Sequence, residues 1–290
     1  MSIPSIIRQL TQQEDINFLL TNRIPRRYAT LFMGWFSKIE FPPIKNITLW
    51  TWKLFTNELN LTEAKKQNFK SLHDCFIREL KPDARIINND DNVIISPCDA
   101  IVGAHGKIKD DQLFQAKGSP YSLKDLLMDE KLVKKYRNGL YVTLRLKSTM
   151  YHRFHSPYNG KISEINYISG DTWNVNPIAL KRIEKLYCKN ERAVVDVELE
   201  KLNTSITLVP VAAILVASMR FHFLPDNLDL KYKGSNTIRC DISVNKGDEL
   251  GYFQHGSTII VFATNKLKLS EDITEGLQIK MGESLFISSS

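Results

Sequence analysis

The chain has 290 residues, 43% apolar and 24% charged, with 13 glycines and 11 prolines; this length allows about two domains, and the composition excludes a disordered or fibrous chain. The four dispersed cysteines (Cys75, Cys98, Cys188, Cys240) form no CxxC pair, which argues against a disulfide framework or a structural zinc site. A formal net charge of +7 leaves nucleic acid, an anionic membrane surface or simple solubility open.

The first informative segment runs from Ile16 to Ile39, which contains no acid but holds Arg23, Arg26, Arg27 and Lys38. Leu31, Phe32, Trp35, Phe36 and Ile39 recur there at helical spacing. Pro25 suits the first turn, and Phe41-Pro42-Pro43 would stop the helix. A second aromatic cluster follows at Leu49-Trp50-Thr51-Trp52 and Phe55. Basic residues beside Trp and Phe describe a helix lying in a membrane interface, with Arg26, Arg27, Phe32, Trp35 and Phe36 as its contacts. The same stripe equally describes a helix packed on its own core. No signal-peptide core precedes it, and Glu14 and Asp15 argue against a transit peptide, so the segment is read as part of the mature fold.

Leu61 to Leu80 reads as a helix, with Phe69, Leu72, Phe76 and Leu80 on one face. Beyond it, strand-like runs dominate at Asn92 to Ser96, Leu140 to Leu146, Ala193 to Leu199, Ser205 to Ala217 and Thr258 to Ala263. Helical patterns interrupt them at Leu123 to Tyr136 and Pro177 to Tyr187. Strands and helices do not alternate strictly, so the expected class is α+β. A helical membrane-association segment over residues 1–60 would precede a mainly antiparallel, β-rich catalytic domain over 61–290. The longest nearly apolar run, Leu208 to Met219, contains Pro210 and falls short of the about 20 residues a spanning helix needs. Acids and bases interleave elsewhere, and no nucleic-acid-binding motif is present, so no nucleic-acid partner is expected.

Three places carry candidate chemistry. Ser96-Pro97-Cys98-Asp99-Ala100 puts an acid in a turn after a strand, and Tyr151-His152-Arg153-Phe154-His155-Ser156-Pro157 holds two histidines. Gly256-Ser257-Thr258 opens a β-branched strand. Each alone is as well read as a turn, a hydrogen-bonded surface pair or an ordinary strand start. Together they supply Asp, His and Ser, the types that activate a hydroxyl. No acid lies one turn from His152 or His155 to complete a HExxH-like set, so no metal is expected. P-loop and Rossmann fingerprints are absent.

In order along the chain, these blocks resemble the phosphatidylserine decarboxylase proenzymes, pyruvoyl-dependent enzymes of the short bacterial type. The resemblance also rests on Phe76-Ile77-Arg78-Glu79-Leu80-Lys81-Pro82-Asp83-Ala84-Arg85, on Asn174-Val175-Asn176-Pro177 and on Asn190-Glu191-Arg192. It implies self-cleavage between Gly256 and Ser257 into a β chain (1–256) and an α chain (257–290), with Ser257 converted to a covalent pyruvoyl group. By the same resemblance His155 activates Ser257, Asp99 orients His155, and His152 returns a proton after decarboxylation through a Schiff base. The implied partners are phosphatidylserine, an anionic membrane surface and the chain's own two fragments, and family members often pair further. The implied location is peripheral, on the cytoplasmic face of the bacterial inner membrane. His255 and Ala100 depart from the family's usual Leu and Gly. The competing expectations are an uncut Ser-His-Asp lipid ester hydrolase and a non-catalytic membrane-surface protein; the hydrolase lacks the GxSxG elbow.

Overall fold

Ser257-Thr258-Ile259-Ile260-Val261-Phe262-Ala263 contains no charge and is rich in β-branched residues, the composition of a strand buried on both faces. In the computed structural model, which describes residues 13–56, 59–115, 119–215, 218–254 and 257–288, every residue of this run is buried. Four helices come first in the chain: α1 (Glu14–Asn22), α2 (Arg26–Phe36), α3 (Pro42–Phe55) and the short α4 (Leu72–Phe76). The middle of the chain holds β1 (Val93–Ile95), β2 (Ala100–Lys107), β3 (Gln112–Phe114), β4 (Pro120–Ser122), α5 (Leu123–Leu127), α6 (Glu130–Tyr136), β5 (Leu140–Leu146), β6 (Arg153–His155), β7 (Gly160–Ile168), α7 (Pro177–Arg182) and α8 (Leu186–Lys189). The remainder is β8 (Arg192–Leu199), β9 (Thr204–Ala212), β10 (Ser218–Phe221), β11 (Leu228–Asp229), β12 (Thr237–Val244), β13 (Glu249–Phe253), β14 (Ser257–Ala263), β15 (Leu267–Leu269), β16 (Gln278–Ile279) and β17 (Ser284–Ser288).

The class is α+β, with every ladder between these strands antiparallel. An eight-stranded sheet runs β12-β7-β8-β9-β14-β5-β2-β16, and a four-stranded sheet runs β11-β10-β13-β6. The chain leaves the large sheet for the small one after β5, β9 and β12 and returns into β7, β12 and β14; the exits after β5 and β9 and the return into β14 build the site. The registers place these three crossings side by side. Ser257 pairs with both Leu146 and Ala212, Met219 with Phe253, and Tyr252 with Arg153. A seam between two sheets is where backbone leaves its ladder and side chains face a gap.

The helices at the N-terminus cover this seam through polar ties. Thr30, buried on α2, accepts a bond from the Leu215 amide at 3.0 Å, and Asn22 accepts one from the Asn174 amide at 3.1 Å. Trp52 of α3 stacks on Phe76 at 5.9 Å.

The helix expected over 61–80 is corrected to α4 alone. Before it, Lys65 donates its amide to the Glu79 carbonyl and Ala64 bridges Leu80, so the segment doubles back as an extended pair. Its apolar spacing instead reflects a small core in which Ala64, Phe69 and Cys75 pack against Leu49, Trp52 and Leu61. The two later helical patterns are each broken once. Met128 (φ 50°) ends α5 and Asp129 caps α6, while Lys185 (φ 52°) separates α7 from α8.

Candidate active site

The sequence-predicted residues fall into two neighbourhoods. Ser257 heads β14 at the seam, and its buried hydroxyl has no hydrogen-bond partner among the described residues. It lines a cavity of about 960 Å³, a size suited to a ligand. The N-terminal helices contribute Met33, Ile47 and Trp52, the β5 crossing contributes Arg145, Lys147, Ser148 and Thr149, and the β9 crossing contributes Ala213, Ile214 and Leu215. Apolar wall on the helical side and cationic, hydroxyl-bearing wall near Ser257 make an amphipathic site.

His152 belongs to the same side of the seam. It is fully buried, its ring centroid lies 4.0 Å from that of Phe76, and Phe76 lines the cavity. Its Nδ1 stands 2.8 Å from the Met150 carbonyl, which can only accept, so Nδ1 carries a proton.

His155 lines a second, more polar cavity with Arg85, Tyr151, Glu249 and Met281. Its Nδ1 donates to the Gly247 carbonyl at 2.8 Å, and the Tyr151 hydroxyl donates to its Nε2 at 3.0 Å. Gly247 aims that carbonyl from a φ of +87°, and a Cβ there would meet Ile87 Cδ1 at 2.3 Å. Burial pushes the His155 pKa below its ordinary value, so the ring is neutral at physiological pH.

Asp99, expected to orient His155, makes no hydrogen bond to that ring among the described residues. The two segments do meet, since the His155 amide donates to the Pro97 carbonyl at 2.8 Å. The Asp99 carboxylate, however, is taken up by a two-pronged bond from Arg85 (2.8 and 2.5 Å) and by the Met281 amide at 2.9 Å. Arg85 also donates to Glu63 at 2.9 Å. A planar guanidinium matches a carboxylate better than an imidazole does, and it wins the acid. Asp99 therefore acts on His155 through charge across space, in the direction that favours the imidazolium. Arg85 and Tyr151 are the site residues that motif reasoning missed; both stood inside quoted blocks, but nothing local marked their partners.

Gly256 and His255 lie outside the described residues. The remaining motif residues are structural. Asn176 caps α7 through the Ala179 amide, and Asn190 bonds Trp173 and the Ala212 carbonyl, fixing the strand end beside Ser257. Arg192 spends its guanidinium on the carbonyls of Leu126, Cys188, Asn190 and Asp125.

Of the expected membrane contacts, Arg27, Phe32 and Trp35 are exposed, and Phe36 is half-buried, stacked on Phe32 at 5.6 Å. Arg26 is corrected. Its guanidinium lies 3.6 Å from the Trp173 ring centroid and bonds both Asp171 oxygens at 3.1 and 2.6 Å, so it fastens α2 to the body.

The family model for phosphatidylserine decarboxylase matches residues 72–287. The chain belongs to the phosphatidylserine decarboxylase family, and it is a carboxy-lyase. It is 33% identical to the phosphatidylserine decarboxylase proenzyme of Saccharophagus degradans, covering 93% of this chain and 96% of that one. Likeness to the proenzyme of Clostridium beijerinckii is 38% over 79% of this chain and 72% of that one. For the proenzyme of Haemophilus influenzae the identity is 32%, over 90% and 92%. The family match begins at α4 and spans the seam with Asp99, His152, His155 and Ser257.

Proposed function

We propose that the chain cuts itself before Ser257 and then decarboxylates phosphatidylserine to phosphatidylethanolamine. The observation that carries this reading is the Ser257 hydroxyl: buried, without a hydrogen-bond partner among the described residues, and opening on a cavity that joins apolar to cationic wall. A buried hydroxyl left unpaired costs about 1–3 kcal/mol, a cost maintained where the group is a nucleophile in waiting. In the cut, Ser257 Oγ attacks the Gly256 carbonyl and converts the amide to an ester. Loss of the Ser257 α-proton expels the Gly256 carboxylate and leaves dehydroalanine, which takes up water and releases ammonia to become the pyruvoyl group.

His155 receives the hydroxyl proton once Tyr151 yields Nε2, and Asp99 favours the resulting imidazolium by its charge. The pyruvoyl carbonyl supplies an electron sink for the electrons left as CO2 departs. His152, buried and with its Nδ1 held by the Met150 carbonyl, passes a proton to the α-carbon from Nε2 once that nitrogen is protonated.

The substrate's chains reside in a bilayer, and α2 and α3 are built to reach one. Tyr28, Phe32 and Trp35 form an exposed stripe on α2, and Ile47, Trp50 and Leu54 another on α3, with Trp35 63% and Trp50 64% exposed. No helix among the described residues is long and apolar enough to cross a membrane. Contiguous exposed aromatics beside Arg27 fit peripheral docking on an anionic leaflet, with residues 1–60 as the membrane-association part.

A denaturing gel with intact-mass measurement tests the reading. The active preparation should contain fragments 1–256 and 257–290, the smaller one beginning with a pyruvoyl group, and Ser257→Ala should stay whole and release no CO2. An active, single unmodified chain would overturn it and favour an ester hydrolase.

A further inference from the structure

Arg145 is a cation that the mechanism above leaves unused. It stands on β5 directly opposite Thr258 of β14, one position from the Ser257–Leu146 pair, and it lines the cavity that Ser257 lines. The other buried and half-buried arginines of the body spend their donors on the protein. Arg192 bonds carbonyls, Arg78 bonds the carbonyls of Cys75 and Thr149, Arg153 bonds Ile77 and Glu249, and Arg85 bonds Asp99 and Glu63. The Arg145 guanidinium makes no hydrogen bond and no ion pair with any described residue. Burial lowers its pKa, the mark of a charge partly stripped of water and not repaid by an acid. An arginine in this state, lining a cavity, is a prepared anion receptor.

We infer that Arg145 receives the phosphodiester of the lipid substrate; this rests on the decarboxylation proposed above and assigns the residue that reads its headgroup. The substrate offers two anions, and the chemistry chooses between them. The carboxylate loses its charge as CO2 leaves, so an arginine on it would stabilise the ground state more than the transition state and slow the reaction. The phosphate keeps its charge throughout, and only the serine Cβ and Oγ separate it from the reacting carbon. Arg145 on phosphate therefore anchors the headgroup with the α-carbon near residue 257, and Ser148 and Thr149 offer hydroxyls on the same wall.

The test uses dihexanoyl phosphatidylserine dispersed below its micellar concentration, so that surface binding does not enter. Arg145→Gln should still give both fragments, with KM raised about 10- to 100-fold, kcat within a few-fold of the parent, and partial rescue by Arg145→Lys. Glycerophosphoethanolamine should inhibit the parent enzyme competitively and the Gln variant far less. Should Arg145→Gln fail to cleave, isothermal titration of the dispersed lipid into the uncut Ser257→Ala chain, with and without Arg145→Gln, reads the same contact; equal affinities would overturn the assignment. Unchanged KM, a fall in kcat alone, or loss of binding to phosphatidylglycerol vesicles would each overturn it too, the last by placing Arg145 at the membrane surface. If the parent chain neither cuts nor releases CO2, the decarboxylation reading fails instead.

Discussion

His152 and His155 are separated by two residues, yet the seam puts them in different surroundings, and their duties should divide accordingly. His155 is held neutral by burial and has a lone pair at Nε2, as a base for a hydroxyl requires. His152 packs on Phe76 in the wall of the Ser257 cavity. His155→Ala should therefore slow self-cleavage by about 100-fold or more. His152→Ala should cleave at close to the parent rate and then fail to release CO2. Fragment accumulation by gel and 14CO2 release separate the two, and a His152→Ala chain that stays whole would sink the division. The histidines, Asp99 and Ser257 were legible in sequence because each lies in a short contiguous block. Their partners were not. The Gly247 carbonyl on His155 comes from 92 positions away, and the Arg85 clamp on Asp99 depends on how two loops cross. Motif reasoning supplies residue types, whereas hydrogen-bond partners follow from the path of the chain.

At the level of elements, α2 inverts the usual amphipathic arrangement. Its ties to the body are polar, with Thr30 bonding Leu215 and Arg26 bonding Asp171, while Tyr28, Phe32 and Trp35 are exposed. Burying one Phe-sized side chain contributes about 1.5–3 kcal/mol. Phe32→Ser combined with Trp35→Ser should thus weaken binding to phosphatidylglycerol vesicles by at least about 10-fold. Turnover of the dispersed short-chain lipid should hold. Sedimentation with vesicles measures the first and CO2 release the second; unchanged sedimentation would mean another face docks. The stripe itself was legible, but its direction was not, since periodicity reports a face without saying what covers it. The central strands were readable for a related reason. The run at 257–263 is rich in β-branched residues and that at 140–146 is mostly apolar with Tyr, Val and Thr at its centre, so burial and propensity agree. Residues 61–80 were misread because apolar spacing set by a small loop core imitates a helix.

For the molecule as a whole, Glu191 sets a pH dependence that no single element owns. It sits at the mouth of β8 with 1% exposure, where the Tyr167 hydroxyl bonds its Oε1 and its Oε2 has no partner among the described residues. Burial first, then the charge of Asp229 on β11, push its pKa up to about 8, against a smaller opposing pull from Arg27 on α2. The folded chain therefore keeps the proton at neutral pH, while the unfolded chain, with a carboxyl near 4.5, has released it. Between those two values the native state binds more protons than the unfolded one, so stability falls as pH rises. The slope contributed by this group is at most about 1.4 kcal/mol per pH unit and flattens above pH 8. Glu191→Gln keeps the shape and the acceptor for Tyr167 but cannot ionise. In the uncut Ser257→Ala background, where one chain unfolds, the Gln variant should gain stability over Glu progressively from about pH 5 to about pH 8. Urea unfolding at several pH values measures it. Parallel stability curves for the two would show that Glu191 is ionised in the fold, with Arg27 as its counter-charge.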